Sequence, residues 1–137
     1  MTTATGRYAT LTNGVEYLDG LTALDSNRAS FALAEGDLFV ERRLIAFDLS
    51  GFTAANTPRE VAAIARRIAS ATYIRAELAA AAPEGDDKLA FCKRLEREAG
   101  EIADEIRGRG YIVSDAGPIY TREGGPSAAA DFPVLRR

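Results

Sequence analysis

Carboxylates are the main side chains in this 137-residue sequence that could support acid–base or metal chemistry. Asp37 and Glu41 lie four positions apart, and Glu98, Glu101 and Glu105 form a second group with helical spacing. Residues three and four apart share a helix face, so each group would bring its carboxylates together. Helical carboxylates build di-metal sites together with Glu-x-x-His motifs, but the sequence contains no His. We therefore expect both groups to be solvated or to pair with basic residues, and we expect no metal site and no cofactor.

The residue types that are missing exclude most other catalytic sites. Without His, the chain can form no Ser-His-Asp triad, no Cys-His dyad and no zinc site with His ligands. The single Cys allows neither an intrachain disulfide nor a CxxC site. It is Cys92, and its place on an apolar helical stripe predicts a small core residue. We expect a protein that is not an enzyme, although catalysis by Asp and Glu alone stays open.

Charge and hydropathy limit the partners. The 17 basic and 20 acidic residues give a net charge of −3, whereas a general nucleic-acid binder has a basic surplus. No stretch approaches the roughly 20 apolar residues that cross a bilayer. The first residues lack the basic lead and the apolar run of a signal peptide. These features predict a cytoplasmic protein that does not bind membranes.

Composition and periodicity favour an all-α fold. Ala accounts for 26 of the 137 residues, and Ala is the strongest helix former. Apolar spacing and capping residues predict four helices, over residues 13–21, 26–47, 58–82 and 87–107. Thr57 and Pro58 mark the clearest start, because a hydroxyl suits the N-cap and proline suits the first helical position. We predict a small four-helix bundle that occupies residues 1–110.

The second predicted helix carries apolar residues on two faces. One stripe consists of Phe31, Ala34, Leu38 and Ile45, and the other consists of Leu33, Val40, Leu44 and Phe47. Since a surface helix of a monomer has one apolar face, this helix either lies in the core or packs against another subunit. Gly36, in its middle, predicts a close helix crossing or a local weakness. For contacts between subunits we assign Leu33, Val40, Arg43, Leu44 and Phe47.

Residues 111–137 differ in character and predict an extended C-terminal arm. They contain Gly-Pro, Gly-Gly-Pro and Phe-Pro breakers, yet they also carry apolar and aromatic residues that disordered tails lack. Residues 111–113 and 119–121 flank a turn sequence and predict a small hairpin. The arm either folds back over the helices or becomes ordered on a partner by strand addition or groove docking. For partner binding we assign Tyr111, Ile112, Ile119, Tyr120, Phe132, Val134, Leu135, Arg136 and Arg137.

Residues 33–69 carry a recognisable pattern. It reads LAEGDLFVERRL over residues 33–44, FDL over 47–49, TPREV over 57–61 and AAIARRIA over 62–69. Tyr8-Ala9-Thr10 matches the opening segment of the same pattern. Over roughly residues 8–80 the chain resembles the head–tail connector (adaptor) proteins of long-tailed bacteriophages and the related gene transfer agents.

The resemblance implies a structural role in the neck of a virion. It implies a helical subunit of a homo-oligomeric ring, typically of twelve subunits, below the portal vertex of the capsid. The arm would dock on the portal protein, and a tail-side stopper protein would bind the other end of the ring. DNA would pass through the central channel without sequence-specific binding. Assembly would take place in the bacterial cytoplasm.

Two other classes stay open at the level of the sequence. A small helical regulatory or antitoxin-like protein-binding module would share the composition and the two-faced helix. An enzyme that uses only carboxylates would need several convergent, buried Asp or Glu side chains.

Overall fold

The computed structural model describes residues 3–14, 16–18, 23–80 and 86–121. Within these residues the chain is mainly helical, as predicted, but it has three α-helices and is not a four-helix bundle. The helices are α1 (Ser26–Arg43), α2 (Arg59–Ala80) and α3 (Asp86–Arg109). Two antiparallel hairpins flank them, formed by β1 (Thr3–Thr5), β2 (Thr10–Thr12), β3 (Tyr111–Ser114) and β4 (Gly117–Tyr120).

The predicted helix over residues 13–21 is wrong in the part that the structure describes. Only a short 3₁₀ helix, Glu16–Leu18, forms there, and residues 15 and 19–22 lie outside the described residues. Gly14 has a φ of 76°, a left-handed conformation that is incompatible with a regular helix start. Upstream, β1 pairs with β2 through the register Thr3↔Thr12 and Thr5↔Thr10, a hairpin that the sequence patterns did not predict.

The second predicted helix ends earlier than expected, at Arg43 instead of residue 47. Leu44 caps α1 with φ −111° and ψ 34°, and its N–H still donates to the Val40 carbonyl at 2.8 Å. Phe47 therefore lies beyond the helix, and it forms an antiparallel bridge with Thr121. This bridge fixes the end of the described chain beside the exit of α1.

The other two helices form close to the predicted limits. The Thr57 hydroxyl does not cap α2; it donates to the Thr53 carbonyl and closes the preceding turn. The Pro58 carbonyl accepts the N–H of Ala62 at 2.9 Å, so proline does stand at the helix start. At the other end of the domain, Gly110 ends α3 with a φ of 85°.

The core is centred on α2, which packs against both α1 and α3, whereas α1 and α3 scarcely touch each other. Tyr73, Ile64, Leu95 and Ile106 are among its fully buried side chains. Cys92 is also buried, as predicted, and burial raises the pKa of its thiol.

Gly36 lies where α1 and α2 approach each other closely. A Cβ atom at this position would lie 2.6 Å from the Ala65 carbonyl oxygen and 3.4 Å from the Ala69 Cβ. The first distance is well inside van der Waals contact and involves backbone, which cannot rotate away. The close-crossing interpretation of Gly36 is therefore confirmed.

Replacing Gly36 with Ala should destabilise the protein even though Ala is the better helix former. Separation of α1 from α2 should outweigh the gain in helix propensity and lower the free energy of unfolding by about 1–3 kcal/mol. Gly100→Ala in α3 is the matched control, because the atom nearest to the added methyl group, Arg43 Nη1, would lie 3.9 Å away. The control should be neutral or more stable by about 0.5–1 kcal/mol. Urea denaturation of both variants measures the difference, and equal stabilities would contradict the close crossing.

Candidate interaction surfaces

Asp37 and Glu41 hold the N-terminal segment against α1. Asp37 accepts the backbone N–H groups of Arg7 at 3.0 Å and of Tyr8 at 3.3 Å. Glu41 Oε2 accepts from the Arg7 guanidinium at 2.7 Å and from the Tyr8 hydroxyl at 3.0 Å. Arg7 also donates to the Leu49 carbonyl at 2.9 Å, so one side chain joins three segments. The predicted pairing with a basic residue is confirmed for Glu41, whereas Asp37 accepts backbone N–H groups instead.

Tyr8, at the contact between the N-terminal segment and α1, has a fully buried side chain. Burial is the main cause that raises the pKa of its phenol, and the hydrogen bond to Glu41 raises it further. The hydroxyl therefore stays protonated at neutral pH and acts as a donor.

The second acidic group lies on α3 and also pairs with Arg. Glu98 contacts Arg67 at 3.1 Å across the helix pair and Arg94 at 3.7 Å along its own helix. Glu101 and Arg97 lie 3.8 Å apart on the exposed face. Among the residues that the structure describes, no group of three or more Cys, Asp or Glu could hold a metal ion.

The predicted C-terminal hairpin is present. Its register pairs Tyr111 with Tyr120 and Ile112 with Ile119, across a turn that ends at Gly117 with a φ of 114°. Ile112 is fully buried in the core, and the two tyrosine rings contact each other with centroids 5.9 Å apart. The first half of the arm is therefore an integral part of the domain.

Glu60, in the first turn of α2, fastens this hairpin to the helices. Its Oε2 accepts from the Arg109 guanidinium and from the Val113 N–H, the latter at 3.1 Å. Arg109 in turn donates to the Tyr111 carbonyl at 2.9 Å and lies over the Tyr111 ring. The hydrogen bond with Glu60 is the main cause that raises the pKa of Arg109. No sequence pattern predicts this contact, because it joins positions 49 residues apart.

An open groove of about 1010 Å³ lies between residues 51–60 and residues 113–119. Phe52 and Asn56 contribute to one wall, and Val113 and Ile119 contribute to the other. Glu60, at the end of the first wall, accepts the Val113 N–H of the second wall and so joins the two.

The residues assigned to subunit contacts are mostly internal. The apolar ones are buried in the core of the chain itself: Leu33, Val40, Leu44 and Phe47. This burial accounts for their apolarity without a neighbouring subunit, and their role in a subunit contact stays a prediction. Arg43 is exposed, lies over the Phe39 ring and contacts Asp104 at 3.8 Å.

The residues assigned to the arm divide into two groups. Tyr111, Ile112, Ile119 and Tyr120 form the hairpin, and Tyr120 remains 37% exposed. The others lie outside the described residues: Phe132, Val134, Leu135, Arg136 and Arg137.

The other apolar stripe of α1 faces solvent. Phe31 is 60% exposed, Leu38 is 37% exposed and Ile45, just after the helix, is 71% exposed. Ala34 is exposed between them. We call these four residues the outer stripe, and they make α1 a helix with one apolar face in the core and one on the surface.

Substitution of Glu60 with Ala should loosen the hairpin while the helices stay folded. The loss of the bonds to Arg109 and to the Val113 N–H should speed amide exchange in β3 by about tenfold. Glu101→Ala removes an exposed ion pair on α3 and is the matched control, with no effect expected in β3. Hydrogen exchange followed by mass spectrometry or NMR measures both. Unchanged exchange at Ile112 and Val113 in Glu60→Ala would show that Glu60 does not hold the hairpin.

No helix among the described residues is long and apolar enough to span a bilayer. The chain matches no protein-family model, no curated protein and no solved structure.

Proposed function

We propose that this chain is a structural subunit of a virion neck, a head–tail adaptor that joins the portal vertex of the capsid to the tail. The observation that carries the proposal is the anchored C-terminal hairpin. It is bonded to α2 through Glu60 and to the exit of α1 through Phe47 and Thr121. The chain that follows Thr121 carries three large apolar residues, Phe132, Val134 and Leu135. A hairpin fixed to the helices and followed by apolar residues suits an arm that docks on a partner protein.

The residues that carry the family resemblance support the same proposal, because they contact one another. Tyr8 from the opening segment bonds to Asp37 and Glu41 from the acidic segment of α1. The Thr57-Pro58 turn begins α2, on which Glu60 anchors the hairpin. Tyr8, Val40, Phe47 and Val61, each from a different segment of the pattern, pack in one core cluster, which supports a common architecture.

In this role the protein works by geometry. The helices would form the wall of a homo-oligomeric ring, with twelve subunits as the resemblance implies. The arm would bind the portal protein, and the opposite end of the ring would bind the stopper protein. DNA would pass through the channel without sequence-specific contacts, which suits a chain of net charge −3. The protein would be assembled in the bacterial cytoplasm and reside in the virion neck.

The test removes the arm beyond the hairpin. A deletion that begins at Tyr111 would open the core at Ile112, so the chain is cut after Thr121 instead. We expect the shortened protein to keep its helical circular dichroism and its melting temperature and to lose attachment to portal-bearing heads. Co-sedimentation with heads from the same genome measures attachment. Full occupancy of the heads by the shortened protein would overturn the proposal that the arm binds the portal protein.

Point variants of the full chain separate anchoring from length. Phe132→Asp and Leu135→Asp should each weaken attachment at least tenfold, because a carboxylate cannot enter an apolar site without a large desolvation cost. Ala90→Asp is the control, since Ala90 is exposed on α3 and lies outside the arm. Equal attachment of all three variants would contradict an apolar anchor in the arm.

The alternative is a small helical regulatory or antitoxin-like protein-binding module. The outer stripe of α1 favours it, because an exposed apolar helix face suits the binding of another helix. Pull-down from the native host distinguishes the two functions. Portal and capsid proteins are expected for an adaptor, and a single soluble partner is expected for a regulatory module.

A further inference from the structure

The outer stripe has the spacing of a helix–helix seam. Phe31 and Leu38 lie seven residues and about 10 Å apart along α1, and Ile45 follows at the same sequence spacing just beyond the end of the helix. Residues at every seventh position form one of the two rows of the seam by which two helices pack side by side. All three side chains are exposed in the monomer, so the seam lacks a second helix among the described residues.

Two charges flank this seam on the same side. Glu35 and Arg42 are also seven residues apart, and neither forms a hydrogen bond or an ion pair within the part of the chain that the structure describes. Neighbouring charges on α1 behave differently, since Glu41 pairs with Arg7 and Arg43 contacts Asp104. Glu35 and Arg42 therefore have their charges available for a partner.

The order of these residues is self-complementary. Phe31 and Ile45 each lie seven residues from Leu38, while Glu35 lies three residues before it and Arg42 four residues after it. In an antiparallel pair centred on Leu38, Phe31 meets Ile45 of the second copy and Glu35 meets Arg42 of the second copy. A parallel pair would instead place Glu35 and Arg42 of the two copies on opposite sides of the seam, where they could not pair with each other.

We propose that the outer stripe of α1 binds the outer stripe of a second copy of this chain, antiparallel and across a two-fold axis at Leu38. Each axis-related contact occurs twice, so the pairing makes two Glu35–Arg42 ion pairs. A depression of about 280 Å³ beside Leu38 is lined by Phe39 and Ile68, with Glu35 and Arg42 also in its wall. It offers an apolar site for Leu38 of the second copy and charges of both signs around it.

A second copy fits the stripe better than the chain's own C-terminal segment. The apolar anchors of that segment fall within residues 132–135, which span at most about 14 Å when extended. They are too short to reach from Phe31 to Ile45, because α1 alone runs about 18 Å from Phe31 to its last residue, Arg43. The inference does not rest on the proposed function, because a two-fold pair closes on itself and builds no ring.

A cysteine at the axis tests the geometry directly. In Leu38→Cys the two thiols face each other, so mild oxidation should link most chains into a species of twice the 14.7 kDa of one chain. Val113→Cys is the control, because Val113 is more exposed than Leu38 but lies on the hairpin. Cys92 is buried and adds little background. Crosslinking of Leu38→Cys no faster than Val113→Cys would overturn the proposal.

Charge reversal tests the pairing without a crosslink. Sedimentation equilibrium of the full chain should show a concentration-dependent dimer, and Glu35→Arg should raise its dissociation constant roughly tenfold. The double variant Glu35→Arg with Arg42→Glu should restore it, because the ion pairs reform with opposite sense. Glu101→Arg makes the same charge change on α3 and should have no effect. A monomeric full chain, or a double variant no better than Glu35→Arg, would overturn the antiparallel pair.

The chain cut after Thr121 separates this inference from the proposed function. It should dimerise like the full chain, whether or not it attaches to portal-bearing heads. A shortened chain that dimerises while the full chain stays monomeric would mean that residues 122–137 occupy the outer stripe in the full chain. That result would overturn the proposal.

Discussion

The structure depends on the close approach of α1 and α2 at Gly36. Because no Cβ stands between the helices, the backbone of α1 comes within contact distance of the Ala65 carbonyl. The buried side of α1 is correspondingly made of small residues near its start, Ala29 and Ala32, and of Leu33 and Val40. A helix that packs through a face made largely of small residues must direct several of its large apolar side chains toward solvent. The exposure of Phe31 and Leu38 follows from that seating.

Charged residues then fix the segments that the helices alone would leave loose. Arg7 joins the N-terminal segment to Glu41 and to the carbonyl of Leu49. Arg109 and Glu60 do the same for the C-terminal hairpin. Both pairs are only partly exposed, so they are less screened by solvent than the Arg97–Glu101 pair along α3. The N-terminal segment around Arg7 and the C-terminal hairpin are therefore held at defined places on a core of three helices.

The sequence predicted those elements whose signals are local. The Thr57-Pro58 turn and the repeated Ile and Ala residues located α2, the apolar stripe with Cys92 located α3, and the turn at Gly117 located the hairpin. It failed for β1 and β2, because strands of three residues carry almost no periodicity. The apolar spacing also continued past Leu44 into a loop, which made the predicted helix too long.

Periodicity could not decide which face of α1 is internal, because both faces are apolar. From the sequence we assigned subunit contacts to Leu33, Val40, Leu44 and Phe47, whereas those side chains fill the chain's own core. One signal pointed the other way: Ala29, Ala32 and Gly36 share the buried side of α1, and small residues mark a close crossing. The contacts of Arg7 with Glu41 and of Glu60 with Arg109 join positions 34 and 49 residues apart, and no single-sequence pattern reports such pairs.

The two proposed surfaces meet at one corner of the molecule. Ile45, the last residue of the outer stripe, stands two residues before Phe47, and Phe47 forms the bridge with Thr121 from which the C-terminal segment departs. A second copy seated on Ile45 would therefore lie beside Thr121, the residue that precedes residues 122–137. A large partner bound to residues 122–137 would compete with that copy for space. The pairing of free subunits and the binding of a partner to residues 122–137 would therefore exclude each other. The bridge between Phe47 and Thr121 connects the two surfaces.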